Sequence, residues 1–179
     1  MSVRNEPYNP QWPVMFAAER SRLELLLGSW LVTPVEHIGS TSVPGLAAKP
    51  LIDMIAGVAD LRAAHAAIDP LAGAGYVHAD HRPGALWFYR PVPGEPEAHT
   101  HHLHLTEPGS ALWRERLTFR DRLRSDPRLA AEYQQLKQDL SQRFPTDGTA
   151  YAAGKRNFVA RVLARSGITL TFNRPADAE

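Results

Sequence analysis

The sequence predicts an α+β fold, with helices packed on a sheet of about five strands and a helical final third. Three observations predict this class. A helical period of apolar residues opens the chain, short apolar runs fill the middle, and a helical period returns from residue 110 onwards. This order favours an α+β layer arrangement over a regular βαβ repeat.

Composition limits the class of protein. The 179 residues are 44% hydrophobic, enough for one domain with a core, so we predict a single domain over residues 1–179. A net charge of +1 gives no strong sign of duplex nucleic acid or an anionic membrane as a partner. The absence of cysteine excludes a disulfide framework, a thiolate zinc site and a cysteine nucleophile. Because no stretch approaches the ~18 apolar residues of a membrane span, we expect a cytoplasmic protein without membrane contact.

The helices are predicted from apolar spacing and from capping residues. The first spans 14–27, and Asp60 can cap a second that reaches about Leu71. Two amphipathic helices follow residue 110 and are divided at Ser125-Asp126-Pro127. A last helix is predicted from about 150 to 166.

The strands are predicted from short apolar runs bounded by turn residues. They lie at 34–38, 50–58, 76–78, 86–90 and 101–106, with a loop over 91–96.

A candidate phosphate loop follows the first predicted strand. Gly39 lets a phosphate approach the backbone, and Ser40, Thr41 and Ser42 offer hydroxyl and N–H donors to its oxygens. An ordinary strand-to-helix turn is the alternative, since small hydroxyl residues also favour turns. The motif is not a P-loop, because no Gly-Lys-Ser/Thr sequence follows Gly45.

The second predicted strand contains one acid, Asp53, within a nearly continuous apolar run. This pattern is typical of a central strand that carries a functional or paired carboxylate. Lys49 lies just before the strand. It is a candidate phosphate partner and equally a candidate counter-ion of Asp53.

Gly39-Ser40, twelve intervening residues and Asp53 together resemble the nucleotidyltransferase superfamily. In that superfamily the loop holds the tail of a nucleoside triphosphate, and two acids in an Asp-x-Asp/Glu pattern hold divalent metal against it. The resemblance implies that Asp53 is a catalytic and metal-binding acid. Ile55 occupies the position of the second acid, so the acid pair is incomplete.

A longer set of motifs resembles the GrpB family. They are the string from His37 through Pro44-Gly45-Leu46-Ala47-Ala48-Lys49-Pro50 to Asp53, then His101-His102-Leu103-His104-Leu105 and Glu107-Pro108-Gly109-Ser110. This family is similar to the extra C-terminal domain of some dephospho-CoA kinases, and the resemblance covers roughly residues 7 to 165. It implies a nucleotidyltransferase-like fold with a mixed sheet of about five strands. The implied ligand is a nucleotide or another phosphate-bearing small molecule.

His102 and His104 form the second candidate feature. Alternation along a strand places both imidazoles on one face, about 6–7 Å apart. With Asp53 they would make a set of two histidines and one carboxylate. The candidate metals are Mn²⁺, Zn²⁺ and Mg²⁺, and imidazole ligands favour the first two. The alternative is that these histidines line a polar groove, and His101 is predicted to face the core.

Tyr151 and Lys155 are four residues apart on the last predicted helix and therefore share a face. A cation beside an aromatic ring could bind phosphate and stack a base. A solvated lysine next to a core tyrosine is the alternative. Arg114, Arg120 and Arg124 are interpreted as a solvent-facing basic stripe.

Three functions follow from these features. The first is a nucleotide-binding, metal-assisted nucleotidyltransferase that uses Asp53 and the histidines. The second is a non-catalytic ligand-binding or interaction module that keeps the fold. A metal-dependent hydrolase ranks last, because the sequence offers no separately placed general base.

Overall fold

The computed structural model describes residues 5–79 and 84–171. Within these ranges no helix has the length and apolar character needed to cross a membrane.

The described residues form a five-stranded mixed sheet in the order β1-β2-β5-β4-β3. Only the central β2–β5 pair is parallel, and the other three pairs are antiparallel. The predicted α+β fold with a mixed sheet is confirmed. The strands are β1 (Glu36–Ile38), β2 (Ile52–Gly57), β3 (Val77–Ala79), β4 (Leu86–Val92) and β5 (Glu95–Thr106).

The predicted loop over 91–96 is wrong. β4 and β5 continue through most of it as a hairpin, with Val92 paired to Glu95. Gly94 has a φ of 82°, which allows the chain to reverse in two residues. β5 therefore begins six residues before its predicted start at His101.

The helices follow the predicted order with two differences in detail. They are α1 (Gln11–Leu27), α2 (Ile68–Gly73), α3 (Ala111–Ser125), α4 (Pro127–Arg143), α5 (Gly148–Gly154) and α6 (Arg156–Ala164). The predicted division between α3 and α4 is confirmed. The Asp126 carboxylate accepts hydrogen bonds from the backbone N–H groups of Arg128 and Leu129, which caps α4.

The second predicted helix is only partly formed. A 3-10 turn occupies Ala63–Ala67, and the α-helical part begins at Ile68. Pro70 has no N–H to donate to a carbonyl one turn earlier, so it is tolerated in the first turn of a helix and not in its interior. The Asp60 carboxylate still accepts from the N–H of Arg62, at 2.7 Å.

The last predicted helix is divided at Lys155 into α5 and α6. Gly154 precedes the break and packs so closely on α4 that a Cβ there would overlap the Leu140 side chain. Glycine weakens a helix interior, and here it also permits the two helices to approach. The division leaves Lys155 at the junction.

The main core lies on one face of the sheet. α1 and α2 cover it with Trp12, Leu23, Leu27 and Leu71, which pack on alternate residues of the central strands. The opposite face carries the other residues of those strands, including Asp53 and His102.

The helical third of the chain packs on the segment that follows the predicted phosphate loop. Val43 and Leu46 share a buried cluster with Leu123, Tyr133 and Phe158 from α3, α4 and α6. This contact fixes the C-terminal helices over the polar face of the sheet.

Leu23 and Leu25 test the assignment of the core on α1. Leu23 is fully buried, whereas Leu25 is 88% exposed. Leu23→Ala should lower the free energy of unfolding in urea by about 2–5 kcal/mol, because it leaves a cavity. Leu25→Ala should change that free energy by less than about 0.5 kcal/mol. Equal losses in the two variants would contradict the orientation of α1.

Candidate functional site

Gly39 makes a turn directly against the Asp53 side chain. Its φ of 71° and ψ of −175° belong to a region that glycine alone adopts readily. A Cβ at this position would overlap the Asp53 carboxylate and lie 2.9 Å from its Cβ. Both the dihedral angles and the space therefore require glycine.

The turn continues as a 3-10 helix over Ser40–Ser42. Thr41 donates to the carbonyl of Leu51 at 2.9 Å and accepts from His37 Nε2 at 3.0 Å. The Ser42 hydroxyl donates to the carbonyl of Gly39 at 2.6 Å. The hydroxyls of Thr41 and Ser42, predicted to bind phosphate, thus hold the turn together.

Asp53 and His102 are direct neighbours across the parallel β2–β5 pair. His102 Nδ1 lies 3.1 Å from Asp53 Oδ1, with 19% and 28% of the two side chains exposed. Burial raises the pKa of Asp53, but the hydrogen bond and charge of His102, with Arg116 and Lys155, lower it overall. An ionised carboxylate only accepts, so His102 carries a proton on Nδ1.

His99 extends this contact, and the sequence interpretation missed it. Its Nδ1 lies 3.0 Å from His102 Nε2, and its ring stacks on Tyr89 with the centroids 4.2 Å apart. The hydrogen bonds therefore run from Asp53 through His102 to His99. Strict alternation along a strand would place His99 and His102 on opposite faces. The register shift between Arg90 and Pro91 brings them together, and the sequence contains no sign of that shift.

The residue at the position of the second acid in the nucleotidyltransferase pattern is apolar and lies in an apolar cluster. Ile55 is fully buried and packs with Ile38 and Leu112. His104 lies opposite Ile55 in the register rather than opposite Asp53, and is 5% exposed.

Across residues 5–79 and 84–171, no three His, Asp or Glu side chains are grouped so that they could hold a metal ion. Of the predicted metal set, the structure brings Asp53 and His102 into contact.

Lys49, Tyr151 and Lys155 lie close together. The Lys155 ammonium lies 4.5 Å from the Tyr151 ring centroid, and that of Lys49 lies 5.2 Å from it. Burial, followed by the charge of Lys49, lowers the pKa of Lys155 to about 8, although Asp53 opposes this. Lys155 is therefore a desolvated cation close to a carboxylate and to other cations.

Two further residues near Asp53 were not identified from the sequence. The Ser40 side chain hydrogen-bonds to Tyr133, whose pKa is raised by burial and by the charges of Tyr151 and Asp53. Arg116 acts electrostatically on both Asp53 and Lys155. Tyr133 and Arg116 come from the helical third, so only tertiary packing brings them close to Asp53.

We refer to Gly39, Ser40, Lys49, Asp53, His102, Arg116, Tyr133, Tyr151 and Lys155 as the Asp53 cluster.

Lys137 supports the Asp53 cluster from α4. It is 2% exposed, and its ammonium donates to the carbonyl of Ala47 in the segment before Lys49. Burial, followed by the charge of Lys155, lowers the pKa of Lys137 to about 7. A second desolvated lysine thus ties this segment to α4.

The predicted solvent-facing arginine stripe is wrong for one member. Arg120 is 9% exposed and donates to the Glu36 carboxylate at 2.7 Å and to the carbonyl of His37 at 3.1 Å. Arg124 donates to the carbonyl of Ser42 at 2.9 Å. Helical spacing indicates a shared face, but here that face meets β1 and the turn. The prediction that His101 faces the core is confirmed, since it is on the same face of β5 as Leu103 and Leu105, which belong to the main core.

Comparison with known proteins identifies relatives along most of the chain. The family described as GrpB protein matches residues 2–165. A UPF0157 protein from Pseudomonas aeruginosa is 37% identical over 89% of this chain and 66% of its own length. The glutamate-rich protein GrpB of Alkalihalophilus pseudofirmus is 33% identical over 87% of this chain and 91% of its own. A dephospho-CoA kinase of Mycolicibacterium paratuberculosis is 32% identical over 86% of this chain and 43% of its own. The chain therefore spans slightly less than two thirds of the Pseudomonas protein and under half of the kinase.

Two solved structures resemble the fold. Conserved protein GrpB from Enterococcus faecalis has a TM-score of 0.80 and 29% identity, covering 92% of this chain and 99% of that one. A cytoplasmic RNA terminal U-transferase has a TM-score of 0.54 and 15% identity, covering 83% of this chain and 47% of that one. The second likeness concerns the fold alone, and it agrees with the predicted nucleotidyltransferase-like fold.

Gly39 and Gly45 provide a matched test of the contact with Asp53. Both have positive φ, at 71° and 79°, but a Cβ at Gly45 would meet nothing within 4 Å. Gly39→Ala should lower the free energy of unfolding by about 1–3 kcal/mol more than Gly45→Ala, because it adds overlap to backbone strain. Urea unfolding measures the difference. Equal losses would show that the turn does not press on Asp53.

Proposed function

The chain belongs to the GrpB family, and we propose that it binds a nucleotide or a related phosphate-bearing small molecule at the Asp53 cluster. The observation that carries the proposal is the position of the Gly39-Ser40 turn against Asp53, the carboxylate that interacts with Lys49, Lys155 and Arg116.

The balance of charge supports an anionic ligand. One carboxylate, Asp53, interacts with Lys49, Lys155 and Arg116, so cations outnumber acids in this group. The lowered pKa of Lys155 indicates that its positive charge is poorly compensated in the free protein. A bound phosphate would supply the missing negative charge, and a desolvated ammonium binds phosphate strongly.

Tyr151 supports the lysines in this proposal instead of stacking a base. The residue is 3% exposed, and both ammonium groups lie over its ring. Its hydroxyl donates to Asn5 at 3.2 Å, which fixes the ring in place. A rigid aromatic ring that holds two cations near each other is suited to a ligand with more than one phosphate.

Metal-assisted nucleotidyl transfer is a second candidate function, favoured by the proximity of Asp53 Oδ1 and His102 Nδ1, between which a metal would have to displace the proton on Nδ1. These residues would hold a divalent metal such as Mn²⁺ or Zn²⁺, which would offset the charge of a triphosphate. The fit is partial, because Ile55 offers no oxygen ligand and His104 lies opposite it. The nucleotidyltransferase-like fold also supports this candidate, and Asp53 would be its catalytic acid.

Lys155 should contribute directly to binding. Lys155→Met should weaken binding of ATP, GTP, CTP or dephospho-CoA, whichever binds best, by about ten- to a hundredfold, since a charged hydrogen bond is lost. Isothermal titration calorimetry measures the affinity, and the thermal midpoint provides a second readout. Dephospho-CoA is included because a relative is a dephospho-CoA kinase.

Arg156→Met is the matched control for this variant, because it removes the same charge from the next residue. It should weaken binding less than about threefold, since Arg156 lines a different cavity, with Ala160 and Ala164, and is not part of the Asp53 cluster. Wild-type affinity should also fall as the pH rises through about 8, where Lys155 loses its proton, and Lys155→Met should not show this fall. If Lys155→Met and Arg156→Met behave alike, the proposed site is wrong.

Asp53→Asn separates the two candidate functions. Without metal, the variant should bind ATP more tightly than wild type, by up to about tenfold, because a negative charge near the phosphates is removed. If Asp53 holds metal, Mn²⁺ should strengthen ATP binding by the wild type and not by Asp53→Asn. Asp139→Asn, an exposed carboxylate on α4, should resemble the wild type throughout. No effect of Mn²⁺ on the wild type would remove the basis for metal-assisted transfer.

A further inference from the structure

A cavity of about 830 Å³ lies beside the Asp53 cluster. Its walls include Lys49, Leu51, Val92, Ala98, His99 and His102. Cavities that enclose small organic ligands have volumes of about 300–1,000 Å³. This cavity therefore has room for a group much larger than a phosphate.

Two residues belong to both the cavity and the Asp53 cluster. Lys49 lines the cavity, and its ammonium lies over the Tyr151 ring that also carries Lys155. His102 lines the cavity and contacts Asp53. A ligand with phosphates between Lys49 and Lys155 would thus have its remainder directed towards the cavity.

The long first half of β5 forms one wall. β2 pairs with β5 only from Ile52 opposite His101, so in the described sheet residues 95–100 have a partner strand, β4, on one side. Their other edge faces the segment from Lys49 to Leu51 across the cavity. Main-chain N–H and C=O groups along such an edge can hydrogen-bond to the rim of a planar heterocycle, as they do to a neighbouring strand.

Part of the remaining wall suits the faces of a planar ring. Leu51, Val92 and Ala98 give part of this wall an apolar surface, and Glu6, Glu95 and Glu97 also line the cavity. The His99 ring is held in place by its stack on Tyr89 and its hydrogen bond to His102. Apolar walls with a few fixed polar groups are typical of sites that bind heterocyclic ligands.

We infer, on the basis of the proposed function, that this cavity receives the nucleoside part of the ligand while its phosphates bind at the Asp53 cluster. The base would lie between the open edge of β5 and the Lys49–Leu51 segment, next to His99. The Asp53 cluster then binds phosphate in general, and the cavity distinguishes a nucleotide from inorganic phosphates.

The test compares a nucleotide with inorganic tripolyphosphate in calorimetric titrations. Wild-type protein should bind the best of ATP, GTP, CTP and UTP at least about tenfold more tightly than tripolyphosphate, since the organic part adds its own contacts. Ala98→Trp, which fills the cavity, should abolish this difference and leave tripolyphosphate affinity unchanged. Ala18→Trp, on an exposed position of α1, is the control and should keep the wild-type preference.

Val92→Trp fills the cavity from the neighbouring strand β4 and should also abolish the preference for a nucleotide. Retained binding of tripolyphosphate shows that Ala98→Trp or Val92→Trp is folded. Equal affinity of wild type for tripolyphosphate and all four nucleotides would overturn the inference. So would a preference that survives in both filled variants. If neither tripolyphosphate nor any nucleotide binds, the proposed function itself fails, and this inference fails with it.

Discussion

The approach of the Gly39 turn to the Asp53 carboxylate constrains the rest of the site. Antiparallel pairing places Ile38 opposite Asp53, and the chain turns at the next residue, directly beside the carboxylate. Only glycine satisfies both the φ of 71° and the space that remains. The turn and the acid are therefore fixed relative to each other. An anion drawn to the backbone of the turn would meet Asp53, and its charge would need compensation from elsewhere.

That compensation comes from the helical third of the chain. Arg116 on α3 and Lys155 at the junction of α5 and α6 both act on Asp53. Lys137 on α4 adds a buried cation, and the charge of Lys155 lowers the pKa of Lys137. Burial of Lys137 and Lys155 destabilises their charged forms in the free protein, and Asp53 offsets this only in part for Lys155. A phosphate ligand at this position would relieve that cost, which links the proposed function to the packing of the helices.

The parts of the site that could be predicted are those set by local rules. Asp53 and His102 were predicted from a lone acid and a histidine alternation in apolar strands, and Tyr151 and Lys155 from helical spacing. Arg116 could not be predicted, because its place depends on how α3 packs over the sheet. The fold class followed from the order of periodic segments. The length of β5 and the division of the last helix at Lys155 could not be predicted from that order, because each depends on a glycine that permits a close turn or contact.

Ile55 explains why the polar site is confined to one register pair of the sheet. Its side chain is fully buried with Ile38 and Leu112, so a carboxylate at this position would enter an apolar cluster and lose its hydration. The second acid of the superfamily pattern is therefore absent together with the polar surroundings that such an acid requires. The positive charge that a metal ion would bring is instead present in fixed side chains, Lys155 foremost. This arrangement favours phosphate binding that does not depend on an acid pair, and it makes metal an addition to the proposed site rather than its foundation.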